Sequence, residues 1–204
     1  MNIQEIPNIN KYALHYVFED LKIKNENSLW LEFGVFSGSS INYISKFTSN
    51  NIYGFDSFEG LPENWIDDNN NIILHKGSFS LNGNLPNVNN NVILIKGLFQ
   101  DTLDNFLFNN NKKISFVHID CDIYNSTKFV LEKLYPYLDE NCVFVFDELV
   151  NVPNDSCNEF KALNEFIKTY NIPYKWIGML GSPFMLNPQH DSQSVAIYLN
   201  YKSI

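Results

Sequence analysis

Five short apolar runs alternate with segments of helical spacing, and no other feature of the 204-residue chain restricts its fold so tightly. The runs occupy residues 29–34, 52–56, 92–95, 114–120 and 143–147; helical spacing follows at Ile41, Tyr43, Ile44 and Phe47, over 102–108 and over 126–138. Strands that are apolar on both faces can leave neither face in water, so they belong to a parallel sheet covered by helices on both sides. The expected class is therefore α/β, doubly wound. Beyond a helix expected around 159–170, residues 174–180 and 194–201 read as two further strands. The Gly/Pro/Asn/His loop between them is too short for a crossover helix, so these two should pair antiparallel.

The sum is a mostly parallel seven-stranded sheet with a C-terminal antiparallel strand pair. The length suits one domain over 1–204. Within it, Ile9, Ala13, Tyr16, Val17 and Leu21 recur at helical spacing, so residues 1–28 are expected to be a helical cover. Residues 57–91 form a long excursion between the second and third strands. An insertion of that length is expected to be either a functional lid or a disordered segment.

Charge narrows the partners. The formal net charge is -9, and all 14 basic residues are lysines. Without arginine's planar fork, and with a negative balance, a nucleic-acid or anionic-membrane partner is not expected. A small-molecule or metal-dependent role is. Cys121, Cys142 and Cys157 are widely spaced and form no CxxC pair, so neither a disulfide framework nor a zinc knuckle is implied. No stretch approaches the length of a membrane span, and the expected location is cytoplasmic.

Ligands of an open α/β sheet bind outside the carboxyl ends of the strands. Here those ends carry Glu32 and Gly34, Asp56, Gly97, and Asp120. Gly34 and Gly38 allow the backbone to approach a ligand, and a helix starting near Ser39 would direct free N–H groups at it. The same residues also suit a plain tight turn with a serine cap. Asp56, 22 residues beyond Gly34, can accept both hydroxyls of a ribose, which favours an adenosine-containing ligand. The glycine spacing, Gly34-Val-Phe-Ser-Gly38, lacks the Gly-x-Gly-x-x-Gly of dinucleotide sites, so a nicotinamide-dependent oxidoreductase is the weaker alternative.

A second group of acids, Asp120-Cys-Asp122 and Asp147-Glu148, ends neighbouring strands. Close together and without a counter-charge they would repel and raise one another's pKa values. A hard divalent cation (Mg²⁺, Mn²⁺ or Ca²⁺) would resolve this; so would acids that separately cap helices or face water. His75 and His118 are further base candidates. His118 alternates with Val117 and Ile119 on a buried strand and is better explained as a satisfied core histidine.

Five motifs in order carry a family resemblance between Leu29 and Leu149. They are Leu31-Glu-Phe-Gly-Val-Phe-Ser-Gly-Ser-Ser40, Gly54-Phe-Asp-Ser-Phe-Glu-Gly-Leu-Pro62, Gly97-Leu-Phe-Gln-Asp-Thr-Leu103, Ile119-Asp-Cys-Asp-Ile-Tyr-Asn-Ser-Thr127 and Phe146-Asp-Glu148. In these the chain resembles class I S-adenosylmethionine-dependent methyltransferases of the macrocin-type sugar O-methyltransferase family. The resemblance implies a Rossmann-like methyltransferase fold with Glu32, Gly34, Gly38 and Ser39 around the methionine part of the cofactor. It further implies Asp56 and Ser57 at the ribose and Phe99 and Gln100 near the adenine. Asp120, Asp147 and Glu148 would be ligands of Mg²⁺ or another divalent cation. Glu148 stands where the family usually has a second aspartate.

Catechol-type relatives carry a lysine base three residues after the first metal aspartate, where this chain has Ile123; Asp120 or Asp122 would then take the proton. The implied activity is metal-assisted transfer of a methyl group from S-adenosyl-L-methionine to a hydroxyl of a small-molecule acceptor such as a sugar or glycoside, with a homo-oligomer open. The non-catalytic alternative is a module that binds S-adenosylmethionine without turnover. Phe58, Trp65 and Phe79 of the excursion would either wall the acceptor pocket or pack on the sheet.

Overall fold

The computed structural model describes residues 1–25, 27–67, 70–150, 158–180 and 193–203. Its main sheet has eight strands in the order β1-β9-β10-β8-β7-β2-β3-β6. At the centre lie β2 (Leu29–Phe33) and β7 (Ile114–Ile119), paired in parallel. On one side follow β3 (Ile52–Asp56) and β6 (Val92–Lys96), and on the other β8 (Leu138–Val150), all parallel. β10 (Gln193–Leu199) runs antiparallel between β8 and β9 (Tyr174–Leu180), as expected for the tail. The eighth strand is β1 (Asn8–Ile9), parallel to β9 at the edge.

All five residues of β2 are buried, which explains why it is apolar except at Glu32. The helices cover two faces. On one, α3 (Phe99–Phe108) buries Leu103 and Leu107, and α4 (Tyr124–Leu134) buries Val130, Leu131 and Leu134. Beside them α5 (Glu159–Tyr170) buries Ala162, Leu163, Phe166 and Ile167, which with the buried Glu159 fall at i, i+3, i+4, i+7 and i+8, the stripe of an amphipathic helix. On the other face α2 (Ser39–Ile44) buries Ile41 and Ile44, alongside the N-terminal α1 (Ala13–His15).

α1 continues as a π-helical turn over Tyr16–Asp20. The wider turn departs from the 3.6-residue period, so Phe18 rather than Leu21 faces the sheet. Phe18 is buried against Trp30 and Phe116, with ring centroids 5.3 and 5.0 Å away, whereas Leu21 is 36% exposed. The excursion after β3 contains a small antiparallel hairpin, β4 (Trp65–Ile66) with β5 (Ile72–Leu74).

Candidate active site

The sheet order reverses at the β2–β7 boundary, and at such a switch point a crevice opens outside the carboxyl ends of the strands. A cavity of about 280 Å³ lies there. Gly34 ends β2, Asp56 ends β3, Gly97 and Leu98 follow β6, Asp120 follows β7, and Asp147 and Glu148 come from β8. Ser57, Phe99, Gln100 and Asp122 also line it. The sequence-derived residues therefore meet at one cavity, apart from Glu32, Gly38 and Ser39, which do not line it.

Gly34, just past β2, lies hard against the backbone of Asp120, just past β7. Its φ is +88°, and a Cβ there would lie 1.8 Å from the carbonyl oxygen of Asp120. Only glycine admits both the left-handed angle and this contact. The turn beyond it is braced by Asp56. Asp56 Oδ2 accepts the backbone N–H groups of Val35 and Phe36, both at 2.8 Å, and Oδ1 accepts that of Phe58 at 2.6 Å. One carboxylate thereby ties the loop after β2 to the loop after β3.

Glu32 lies beneath the cavity, 1% exposed, with Oε1 accepting from the Ser40 hydroxyl and Oε2 2.9 Å from Nδ1 of His118. His118 is equally buried, as the strand pattern implied, but it is only half satisfied: Nδ1 is paired with Glu32, while Nε2 is buried without a hydrogen-bond partner among the described residues. Burial holds Glu32 above its usual range. Burial pulls His118 down, but Glu32 beside it outweighs this and leaves His118 raised. Nε2 of His118 faces Asp147 Oδ1 at 3.9 Å, beyond hydrogen-bond range, and the Tyr12 hydroxyl donates to that same oxygen. His75 does not line the cavity.

The acids titrate abnormally because they are buried together. Burial, then the charge of Asp56, raises Asp120 against the opposing pull of His118. Asp122 is pushed well above the ordinary aspartate value by burial and by Asp120, Glu148 and Asp56. Burial alone lifts Asp147 to about 6. Among the described residues, however, no three His, Cys, Asp or Glu side chains stand close enough together to hold a metal ion. The donor set is all oxygen and suits a hard cation, but as placed it is not a closed coordination shell.

Asp122 adopts a left-handed φ of 61°, and the N–H of Ile123 bonds back to the carbonyl of Cys121 at 2.6 Å. This is a γ-turn of the rarer, strained hand. It is held from behind by Glu159, the first residue of α5. Glu159 is 1% exposed, and its Oε1 accepts the Cys121 N–H at 3.1 Å. Burial and the neighbouring acids push Glu159 well above its usual value. Nothing in the sequence singled out this residue: an acid in the first turn of a helix is ordinarily a solvated partner of the helix dipole.

Of the aromatics in the excursion, Phe58 is fully buried and Trp65 nearly so, its Nε1 donating to Asn158 Oδ1 at 2.8 Å. Only Phe79 lines the cavity, together with Phe36. Cys121 and Cys142 are free and buried; Cys157 and the loop between β9 and β10 lie outside the described residues. No helix among the described residues is long and apolar enough to cross a membrane.

Comparison with solved structures places this architecture among methyltransferases. The calicheamicin methyltransferase CalS11 superposes with a TM-score of 0.63 at 22% identity, over 91% of this chain and 75% of that one. The O-methyltransferase NovP gives 0.60 at 18% identity, over 93% and 78%. An O-methyltransferase from Bacillus cereus in complex with SAH gives 0.53 at 14%, over 84% and 73%. At these identities the likeness is one of fold. No curated protein matches the sequence. The family model described as a methyltransferase domain matches residues 31–149, which span every cavity-lining strand end from β2 to β8. The chain belongs to this methyltransferase-domain family, and its fold is that of the class I S-adenosylmethionine-dependent enzymes.

Proposed function

We propose that the protein is an S-adenosylmethionine-dependent O-methyltransferase acting on a hydroxyl of a small molecule, a sugar or glycoside. The observation that carries this is one cavity, at the switch point of a methyltransferase sheet, lined by both a glycine turn and a group of carboxylates. In this reading the turn at Gly34 admits the amino-acid end of the cofactor, Asp56 and Ser57 lie toward the ribose, and Phe99 and Gln100 toward the base. When bound, the cofactor supplies an electrophilic methyl group on a sulfonium.

The chain's own work is placement and proton transfer. Asp122 lines the same cavity as Gly34, and its raised pKa makes it a stronger base than an exposed aspartate, suited to take the hydroxyl proton as the new O–C bond forms. The C–S bonding pair stays on sulfur, so no covalent enzyme intermediate is needed. Asp120, Asp147 and Glu148 are the proposed ligands of a divalent cation such as Mg²⁺, which would acidify the acceptor hydroxyl. Their all-oxygen chemistry and their shared place on the wall of one cavity support this role, and ion binding would have to draw them together.

Thermal-shift titration with S-adenosylmethionine, S-adenosylhomocysteine and NAD(H) tests the cofactor. Stabilisation by NAD(H) alone would reject the proposal. Asp120→Asn or Asp122→Asn should cost turnover far more than folding. Chelator should abolish turnover that Mg²⁺ restores; full activity in chelator would remove the metal roles and leave Asp122 as base. Binding of S-adenosylmethionine with no turnover on any hydroxylated acceptor would favour the non-catalytic module.

A further inference from the structure

Resting on the methyltransferase reading, we propose that the acceptor is a ring compound without phosphate, uncharged or amine-bearing, that lies against the Phe36–Phe79 pair, and that nucleotide-linked sugars are excluded.

The first observation is the charge of the cavity. Asp56, Asp120, Asp122, Asp147 and Glu148 line it, and no lysine does so among the described residues. The sequence strengthens this beyond the described part. The chain has no arginine, and residues 26, 68–69, 151–157, 181–192 and 204 include no lysine. Every lysine therefore has a described position and none lines the cavity; Lys76, three residues before Phe79, is exposed. Lys96 donates to the Gly83 carbonyl at 2.6 Å, while Lys128 pairs with Glu165 and Lys161 lies over the Tyr124 ring. A diphosphate is held by bidentate arginine, by lysine or by a helix N-terminus free of competing acids. None of these is available on the acid-lined side. A divalent ion held by these acids is the one group that could reverse this balance, so the test is run with and without Mg²⁺.

The second observation is independent of charge. Phe36 and Phe79 are 42% and 45% exposed, and their rings meet edge to face with centroids 5.6 Å apart and planes at 65°. Both have left-handed backbone angles, φ 44° and 66°, which bulky side chains rarely adopt. Asp56 secures the angle at Phe36 by accepting its N–H. Two aromatics held in costly conformations and left half-open to solvent on a cavity rim form a platform for a ring face, and Leu61, Pro62 and Leu98 extend it. A sugar ring or aryl group stacks on such a surface through its C–H or π face.

The test is calorimetric binding to the full chain saturated with S-adenosylhomocysteine, with and without Mg²⁺. The probes are TDP, TDP-rhamnose, 4-nitrophenyl rhamnoside and 4-nitrophenyl glucosaminide. At least one glycoside should bind at least about tenfold more tightly than either TDP compound. Preferential binding of TDP or TDP-rhamnose, or binding of neither glycoside, overturns the inference. If S-adenosylhomocysteine itself does not bind, the methyltransferase reading beneath it fails instead, so the two failures are distinguishable. Phe79→Ala should weaken the preferred glycoside at least about fivefold more than it weakens S-adenosylhomocysteine, and Phe79→Tyr should restore it. Equal weakening of both ligands would remove the pair from the acceptor side.

Discussion

Asp56→Asn separates a brace from a simple ligand contact. The native carboxylate presents two oxygens to three backbone donors, Val35 and Phe36 at Oδ2 and Phe58 at Oδ1. Asparagine has one oxygen. Its better orientation keeps that oxygen on the Val35 and Phe36 N–H groups and turns its amide nitrogen toward the N–H of Phe58, a donor facing a donor. Losing one bond to a charged acceptor costs about 1.5 to 3 kcal/mol, and making the other two neutral costs a further fraction of each. A loss of about 3 kcal/mol follows, or about 6 to 12 °C in Tm for a chain of this size. Thermal and urea unfolding followed by circular dichroism would measure it, with the denaturant slope unchanged. If the variant melted within about 2 °C of wild type while losing S-adenosylhomocysteine affinity, Asp56 would be a ligand contact alone, and the brace would be refuted.

Gly34→Ala would drive a methyl group to within 1.8 Å of the Asp120 carbonyl, so a loss above about 4 kcal/mol, or failure to accumulate as folded protein, is expected; a wild-type urea midpoint would contradict the close approach. Glu159→Gln keeps an oxygen for the Cys121 N–H and should cost about 1 kcal/mol, whereas Glu159→Ala leaves that N–H unpaired and should cost about 2 to 4 kcal/mol by urea denaturation. Equal effects would show that packing, not the hydrogen bond, holds the γ-turn. The ion-free protein should lose stability as pH rises. Asp147 is protonated below about 6 when folded but only below about 4 when unfolded, so the folded state carries the extra proton and ∂ΔG/∂pH is negative between these values. Asp147→Asn should flatten that slope in urea melts at pH 4.5, 5.5 and 7; an unchanged slope would mean that Asp147 is not the group responsible.

The central strands were legible because burial on both faces leaves β2 and β7 few polar positions: Glu32 and His118, which face each other, and the half-buried Ser115, which accepts from Trp30 Nε1. The antiparallel tail was legible from its short connection. β1 was not, since two residues after a proline carry no period, and the hairpin of Trp65–Ile66 with Ile72–Leu74 was hidden for the same reason. At the site, strand-end acids announced themselves by position. What they touch did not: the partners of Asp56 are backbone groups on two separate loops, and the hold of Glu159 on Cys121 spans 38 residues. Such bonds depend on how loops fold over one another, and backbone donors are the same in every sequence. The π-helical turn likewise moved the buried face of the N-terminal segment off its expected period.

The short β1 does more than add a strand to the sheet. Pro7 accepts the N–H of Met179 at 3.0 Å, and Ile9 packs so closely on Gly178 that a Cβ there would come within 2.6 Å of its side chain. At Met179 and Leu180 this cap keeps the end of β9 from presenting a bare row of donors and acceptors to a second molecule. Trimming the first nine residues would uncover that row, so self-association during storage, rather than lost chemistry, should be the first sign of a clipped N-terminus.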